Sequence, residues 1–320
     1  MSPQANTIPP MQYRTLGRTG LRVSVVSLGA GGASRMGEAL GLSEADRIAL
    51  IHRALDLGVN LIDTSVSYGD TETTIGKAVR GRSCIVAIKF VPAVEDRIVE
   101  PGEVITSVEQ SLQRLNVPTL DILQFHGVKP KHYKDCMERL LPTVQRLREQ
   151  GKFRYLGISE MPPGDGEHRM LPMALADDHF DAIMVGYNFL APYPEQVVLP
   201  EAQRRNVGVI VMVAVRRALS RPDHLQQKLN DAITRGVIAP DALPPKEPLN
   251  WLLSADVPTL PAAGYKFAAA HPAVATVLTG TSNRVHLEAN LRAALGPPLP
   301  KEHLEKLRRV FANVREPLAE

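Results

Sequence analysis

Apolar positions along this chain come as short unbroken runs separated by longer stretches in which they recur every three or four residues. The runs fall at 25–30, 60–65, 84–90, 120–126, 153–159, 180–187, 209–215 and 275–281. Helix-period stretches follow them at 43–57, 73–80, 104–115, 133–150, 168–176 and 195–205, then as later helices after 215, and finally at 285–294. An unbroken apolar run reads as a strand buried on both faces, and the longer period reads as an amphipathic helix. Regular alternation of the two means parallel strands joined by crossover helices. Eight such units in one chain predict an α/β fold, a single (β/α)8 TIM barrel whose chemistry sits at the carboxyl ends of its strands.

Local signals support this register. Ser43-Glu-Ala-Asp46 places an acid three residues after a capping serine, and Gly58 follows the helix that ends near Leu57. Ahead of the first unit, residues 12–17 and 21–24 flank Arg18-Thr-Gly20, which predicts an N-terminal β-hairpin able to plug the barrel's amino end. Residues 1–10 read as a flexible tail and 11–320 as one barrel domain. The proline-containing stretch 220–248 is too long for a tight connection. It reads either as a wall of the substrate pocket or as a solvated insertion.

Composition narrows the partners. Of 320 residues 44% are hydrophobic, enough for one large core, and α/β barrels often exceed the usual single-domain size. Lys and Arg exceed Asp and Glu only by 37 to 34, without a basic patch, so no nucleic-acid partner is expected. The two cysteines, Cys84 and Cys136, lack CxxC spacing and read as reduced thiols, and no metal is expected. No signal-peptide pattern opens the chain and no run approaches a membrane span, which predicts a cytoplasmic protein with no membrane partner.

Four side chains stand at the ends of consecutive strand runs: Asp63 and Tyr68 after the second, Lys89 after the third and His126 after the fourth. Each alone has an ordinary reading as a cap, a packed ring, a salt-bridged strand end or a core histidine. Together on one barrel mouth they make a proton-donating site for a carbonyl oxygen. A tyrosine that gives up a proton near neutral pH needs its pKa lowered from about 10 by a cation, which Lys89 can supply. Asp63 would keep that ammonium charged, and a neutral His126 could orient the oxygen.

In this order the four resemble the Asp-Tyr-Lys-His tetrad of the aldo-keto reductase superfamily. Tyr13-Arg-Thr-Leu-Gly-Arg-Thr-Gly-Leu-Arg-Val-Ser24 is similar to the opening of bacterial and plant members, and residues 141–159 look closest to the subgroup with aldose and galactose dehydrogenases. The resemblance implies an NAD(P)H-dependent oxidoreductase acting on a small carbonyl or sugar-like substrate, with Tyr68 as the proton donor.

Hydride chemistry requires a nicotinamide cofactor, since no side chain supplies a hydride. No GxGxxG follows the first run. The resemblance instead places the cofactor across the barrel mouth with its adenine end after the eighth strand, which assigns Gly280, Thr281, Ser282, Arg284, His286 and Asn290 to that end. A helix start there suits a phosphate. Gly280 and His286 stand where relatives carry basic residues, which leaves the choice between NADP and NAD open, and NADP is expected from the family's habit alone. By the same resemblance Ser159, Glu160, Met184 and Met212 surround the nicotinamide, with Glu160, Met184 and Met212 replacing the usual amide, glutamine and aromatic side chains. Arg216 and Arg217 read equally well as pyrophosphate ligands or as solvated charges. Two other functions remain at this stage: a cofactor-binding regulatory protein, and a non-redox acid-base enzyme using Tyr68 and Lys89. Oligomeric state is not legible.

Overall fold

The computed structural model describes residues 7–32 and 34–318, so most of the expected tail, residues 1–6, lies outside the described residues. Strands β1 (Tyr13–Thr15) and β2 (Arg22–Ser24) form the expected antiparallel hairpin, with Tyr13 opposite Ser24. Strands β3 (Val26–Gly29), β4 (Leu61–Asp63) and β5 (Ile85–Phe90) follow, then a small hairpin of β6 (Ala93–Val94) and β7 (Arg97–Ile98). The remaining strands are β8 (Leu120–Val128), β9 (Phe153–Glu160), β10 (Ala182–Gly186), β11 (Gly208–Met212) and β12 (Thr276–Thr279). Apart from the two hairpins, they close in the order β10-β11-β12-β3-β4-β5-β8-β9, every neighbouring pair parallel. The (β/α)8 barrel is therefore observed.

Helices return the chain after each strand: α1 (Glu44–Asp56), α2 (Thr71–Ala78), α3 (Pro101–Leu115), α4 (Pro130–Glu149) and α5 (Met170–Asp177). After β10 come α6 (Pro194–Val197) and α7 (Leu199–Arg204); after β11, α8 (Arg217–Ser220), α9 (Pro222–Thr234) and α10 (Leu260–Ala270); after β12, α11 (Arg284–Leu295) and α12 (Lys301–Val310). Ser43 caps α1 as expected, its Oγ accepting from Asp46 N–H at 3.1 Å. The single helix expected over 195–205 is broken at Val198, because Pro200 has no N–H to continue the ladder. The stretch 220–248 contains α9, whose Leu225, Leu229 and Ala232 are buried. It is thus packed onto the barrel rather than solvated along its length.

Two apolar layers follow from the period-2 alternation of the strands. Ile62, Ile88, Leu123, Ile183, Val209 and Val277 face outward into the core under the helices. Leu61, Ala87, Ile122, Ala182 and Ile210 face inward, and Leu16 and Val23 of the hairpin join them, so the hairpin closes the barrel's amino end. This closure is tight. Gly17 has φ +48°, and a Cβ there would lie 2.3 Å from the backbone nitrogen of Gly208. With that end sealed, polar side chains gather at the carboxyl end.

Candidate active site

The strand register carries Asp63 and Lys89 into one inward layer, one step above the apolar floor. Lys89 Nζ donates to Asp63 Oδ1 at 2.6 Å, to Asp63 Oδ2 at 2.5 Å and to Thr64 C=O at 2.8 Å. These contacts use all three of its N–H bonds. Both groups are buried, Lys89 to 1% and Asp63 to 3% exposure. Burial pushes Asp63 up and Lys89 down from their usual pKa values while their contact opposes both shifts, so each depends on the other for its charge. Gln124, two residues before His126 on the same face of β8, adds a donor to Asp63 Oδ1 at 3.3 Å.

Tyr68 sits on the loop after β4, its ring passing over Gly31, where a Cβ would come within 2.7 Å of the ring. Its Oη lies 3.3 Å from His126 Nε2. His126 Nδ1 lies 3.0 Å from Ser65 Oγ, and Ser65 donates to the Lys89 carbonyl at 3.2 Å. With its Nδ1 protonated toward Ser65, the His126 ring would accept from the Tyr68 hydroxyl at Nε2. Burial first, then the Lys89 charge, lowers His126 to about 3, so the imidazole is neutral at physiological pH.

The expected effect of Lys89 on Tyr68 takes a different form here. The Lys89 ammonium is 5.3 Å from the Tyr68 ring centroid with its donors committed elsewhere. Burial and then the Asp63 charge push the phenol above its ordinary pKa, and Arg216 draws it down. Tyr68 is therefore a neutral phenol, the form that can donate.

The residues assigned to the nicotinamide are held by protein partners. Ser159 Oγ accepts from Gly127 N–H at 2.8 Å, pinning an irregularity in β8 between Phe125 and Val128. Glu160 Oε1 accepts from Gly186 N–H at 2.7 Å, and both its oxygens meet His168 Nδ1, at 2.9 and 2.8 Å. Its pKa is raised by burial against the pull of His168. Met184 belongs to the inward apolar layer, with Met212 packed against it. Val213, directly after β11, is a β-branched residue at φ +55°, a strained conformation of the kind that clusters at functional sites. Arg216, half-buried, stands at the N-cap position of α8 without a side-chain capping bond, and Arg217 is exposed.

At the other end of the mouth, Asn283 Oδ1 accepts from Val285 N–H and His286 N–H at the start of α11. Arg284 is exposed and donates to Glu288 at 3.0 Å, while His286 is exposed beside it. Asn290 Nδ2 donates to Thr279 Oγ1 at 2.9 Å, next to Tyr265. Thr281 Oγ1 accepts from Asn283 N–H at 3.1 Å, Ser282 is half-buried, and a Cβ on Gly280 would meet nothing nearer than 3.7 Å. The sequence reading missed Ser65, Gln124, Gly31 and His168. The even spacing of Gln124 from His126 and the Asp63-Thr-Ser65 run were the available signals for two of them.

A closed parallel barrel with a buried Asp-Lys pair beneath a Tyr-His pair at its carboxyl mouth defines a class of barrel oxidoreductases. The chain belongs to the aldo/keto reductase family, whose pattern matches residues 27–311. It is 34% identical to L-galactose dehydrogenase of Arabidopsis thaliana over 160 residues, 48% of this chain and 49% of that protein, so the match spans about half of that relative. It is 25% identical to an uncharacterized oxidoreductase of Bacillus subtilis (strain 168), YqkF, over 93% of this chain and 95% of the other. Among solved structures it is similar to the holo form of aldo-keto reductase AKR11C1 from Bacillus halodurans, with a TM-score of 0.72 and 26% identity, covering 97% of this chain and 100% of that one. Family and fold together support an oxidoreductase. Among the described residues, no helix is long and apolar enough to cross a membrane.

Proposed function

We propose that this protein is an NAD(P)H-dependent aldo-keto reductase that interconverts a small carbonyl compound and its alcohol, with Tyr68 as proton donor in reduction and acceptor in oxidation. The observation that carries this reading is the neutral Tyr68 hydroxyl held 3.3 Å from His126 Nε2 above the buried Asp63–Lys89 pair. When bound, the nicotinamide cofactor supplies or takes the hydride.

His126 lies within 3.3 Å of the Tyr68 hydroxyl and positions it, and a carbonyl oxygen entering beside it takes the hydroxyl's hydrogen bond. Such a positioned proton donor contributes about 10²–10⁴-fold in rate. The tyrosinate left behind is stabilised by Arg216, with the Lys89 ammonium 5.3 Å from its ring centroid.

The mouth fits the cofactor unevenly. Arg216 and Arg217 would hold its pyrophosphate, and Thr281, Ser282, Arg284, His286 and Asn290, beside the open space at Gly280, its adenosine end. Ser159 and Glu160 are committed to Gly127, Gly186 and His168, so a carboxamide would compete with those bonds for them. NADP is the proposed form, on Arg284 as the exposed cation at the first turn of α11, with NAD the alternative. The engaged Ser159 and Glu160 are also what favours the second reading, a non-redox acid-base enzyme using Tyr68 and Lys89.

The test is titration of the protein with NADPH and NADH, following tryptophan and nicotinamide fluorescence, with turnover measured in parallel for Tyr68→Phe. The expected result is saturable binding in both proteins and loss of turnover only in the variant. Near-normal activity in Tyr68→Phe would remove Tyr68 from its role, and failure of both cofactors to bind would favour the non-redox reading.

A further inference from the structure

Gln124 is wholly buried on the inward face of β8, between Ile122 of the apolar floor and His126 at the mouth. The register sets Lys89 of β5 on one side of it and Gly157 of β9 on the other. The glycine makes room for it: a Cβ at Gly157 would lie 2.8 Å from Gln124 Cγ and 3.4 Å from its Cδ. The two ends of the amide meet different fates. Nε2 donates to Asp63 Oδ1 at 3.3 Å, while Oε1, equally buried, has no hydrogen-bond donor among the described residues.

An amide is a poor filler for this space. A leucine of similar size would pack against Ile122 without leaving an acceptor unpaired, and an unpaired buried acceptor destabilises the fold. What the glutamine contributes therefore lies at its other end, on Asp63. The amide is not free to turn over, because the reverse orientation would set Oε1 against the Asp63 carboxylate, acceptor against acceptor.

Asp63 and Lys89 titrate as one buried unit. Moving a proton from Lys89 Nζ to an Asp63 oxygen converts carboxylate and ammonium into carboxylic acid and amine, a balanced step that removes both charges from a dry interior. The Gln124 N–H opposes that step, since it bonds a carboxylate oxygen more strongly than the oxygen of a neutral acid. At 3.3 Å the bond is long, which keeps its effect within about tenfold. The ammonium stands 5.3 Å from the Tyr68 ring centroid, so the state of the pair is felt at the hydroxyl that hands over the proton.

We propose that Gln124 is a positioning residue that holds the Asp63–Lys89 pair in its carboxylate–ammonium form, and that Gly157 is the cradle that lets it do so. Its consequence for turnover rests on the reductase reading above; its effect on the pair does not. The titratable groups around Gln124 are Asp63 at the end of β4, Tyr68 on the loop beyond it, Lys89 on β5, His126 on β8 and Tyr155 on β9. Ala182, Met184, Ile210 and Met212, on the inner faces of β10 and β11, carry no charge. Removing the amide donor leaves the carboxylate less well held, so Asp63 takes a proton more readily and at higher pH.

Two measurements on Gln124→Leu and Gly157→Ala test this, with melting curves to confirm that each variant folds. The first needs no turnover: infrared spectra of protein labelled with ¹³C at its aspartates follow the carbonyl stretch of a protonated buried carboxylic acid, assigned to Asp63 by its absence from the same variants carrying Asp63→Asn. At pH 7 the acid form should rise roughly threefold or more over wild type in Gln124→Leu, and in the same direction in Gly157→Ala, where the new methyl displaces the amide. Gln124→Leu should melt no lower than wild type. The second is the pH profile of kcat/KM for propanal with NADPH, whose acid limb should move up by roughly 0.5 pH unit or more in Gln124→Leu. An acid band no stronger than wild type's in both folded variants, or an unmoved limb in a wild type that does turn over, overturns the assignment. A stronger acid band in the variants of a protein that reduces no aldehyde overturns the reductase reading and leaves Gln124 its hold on the pair.

Discussion

Lys89→Met is the perturbation whose size follows most directly from the structure. It removes two contacts of 2.5 and 2.6 Å from a carboxylate that is only 3% exposed, leaving Gln124 Nε2 at 3.3 Å as its one remaining hydrogen-bond donor among the described residues. Breaking a buried pair from one side typically costs about 3–5 kcal/mol. The carboxylate can escape part of that cost by taking a proton, and burial already pushes its pKa up. An unfolded Asp has a pKa of about 3.9, so between that value and the raised folded value the folded variant holds a proton the unfolded chain has released. Stability of Lys89→Met therefore falls as pH rises through that window, by at most about 1.4 kcal/mol per pH unit, and is highest at its acid side. Asp63→Asn combined with Lys89→Met removes the stranded charge. The double variant should then lose less than the sum of the single losses, by about 2 kcal/mol or more. Urea unfolding of all four proteins at pH 5 and pH 8, followed by Trp251 fluorescence and far-ultraviolet circular dichroism, measures this where the two midpoints coincide. Additivity within about 0.5 kcal/mol, or a loss in Lys89→Met that does not change with pH, would refute the reasoning.

Three further outcomes are expected. His126 is held to about 3 by burial and then by Lys89, whereas the unfolded chain takes its proton near about 6.5, so its contribution to stability is complete above that pH and is lost as pH falls through the interval; a ring proton resonance titrating near 6.5 in the native protein would contradict this. Arg284→Ala should weaken NADPH well beyond NADH, with the gap narrowing at high salt as exposed charges are screened; equal losses for both would place Arg284 off the 2′-phosphate. Gly17→Ala should lower stability by at least about 2 kcal/mol, because its Cβ would fall 2.3 Å from Gly208 N at a left-handed φ, and a midpoint equal to wild type would show that the hairpin shifts freely.

Much of this was legible in the residue pattern, for a physical reason. A strand buried on both faces must be apolar throughout, so the eight runs announced themselves. A polar residue closing such a run stands at the carboxyl mouth, where Asp63, Lys89 and His126 are found. The hairpin was legible from turn chemistry. What the one-dimensional pattern could not carry was the competition among neighbours for hydrogen bonds. The residue pattern offers Lys89 as the cation that lowers Tyr68, but only the fold shows its three N–H bonds spent on Asp63 and Thr64. Glu160 matched a nicotinamide contact by position, yet His168, in a left-handed backbone conformation eight residues on, turns around and claims it. Ser65 gained its importance only when β4 and β8 brought it within 3.0 Å of His126. Strand ends are set by local hydrophobic period and turn residues. Which of the groups they deliver becomes a donor, an acceptor or a neutralised charge depends on contacts among strands far apart in the chain, and only the closed barrel decides them.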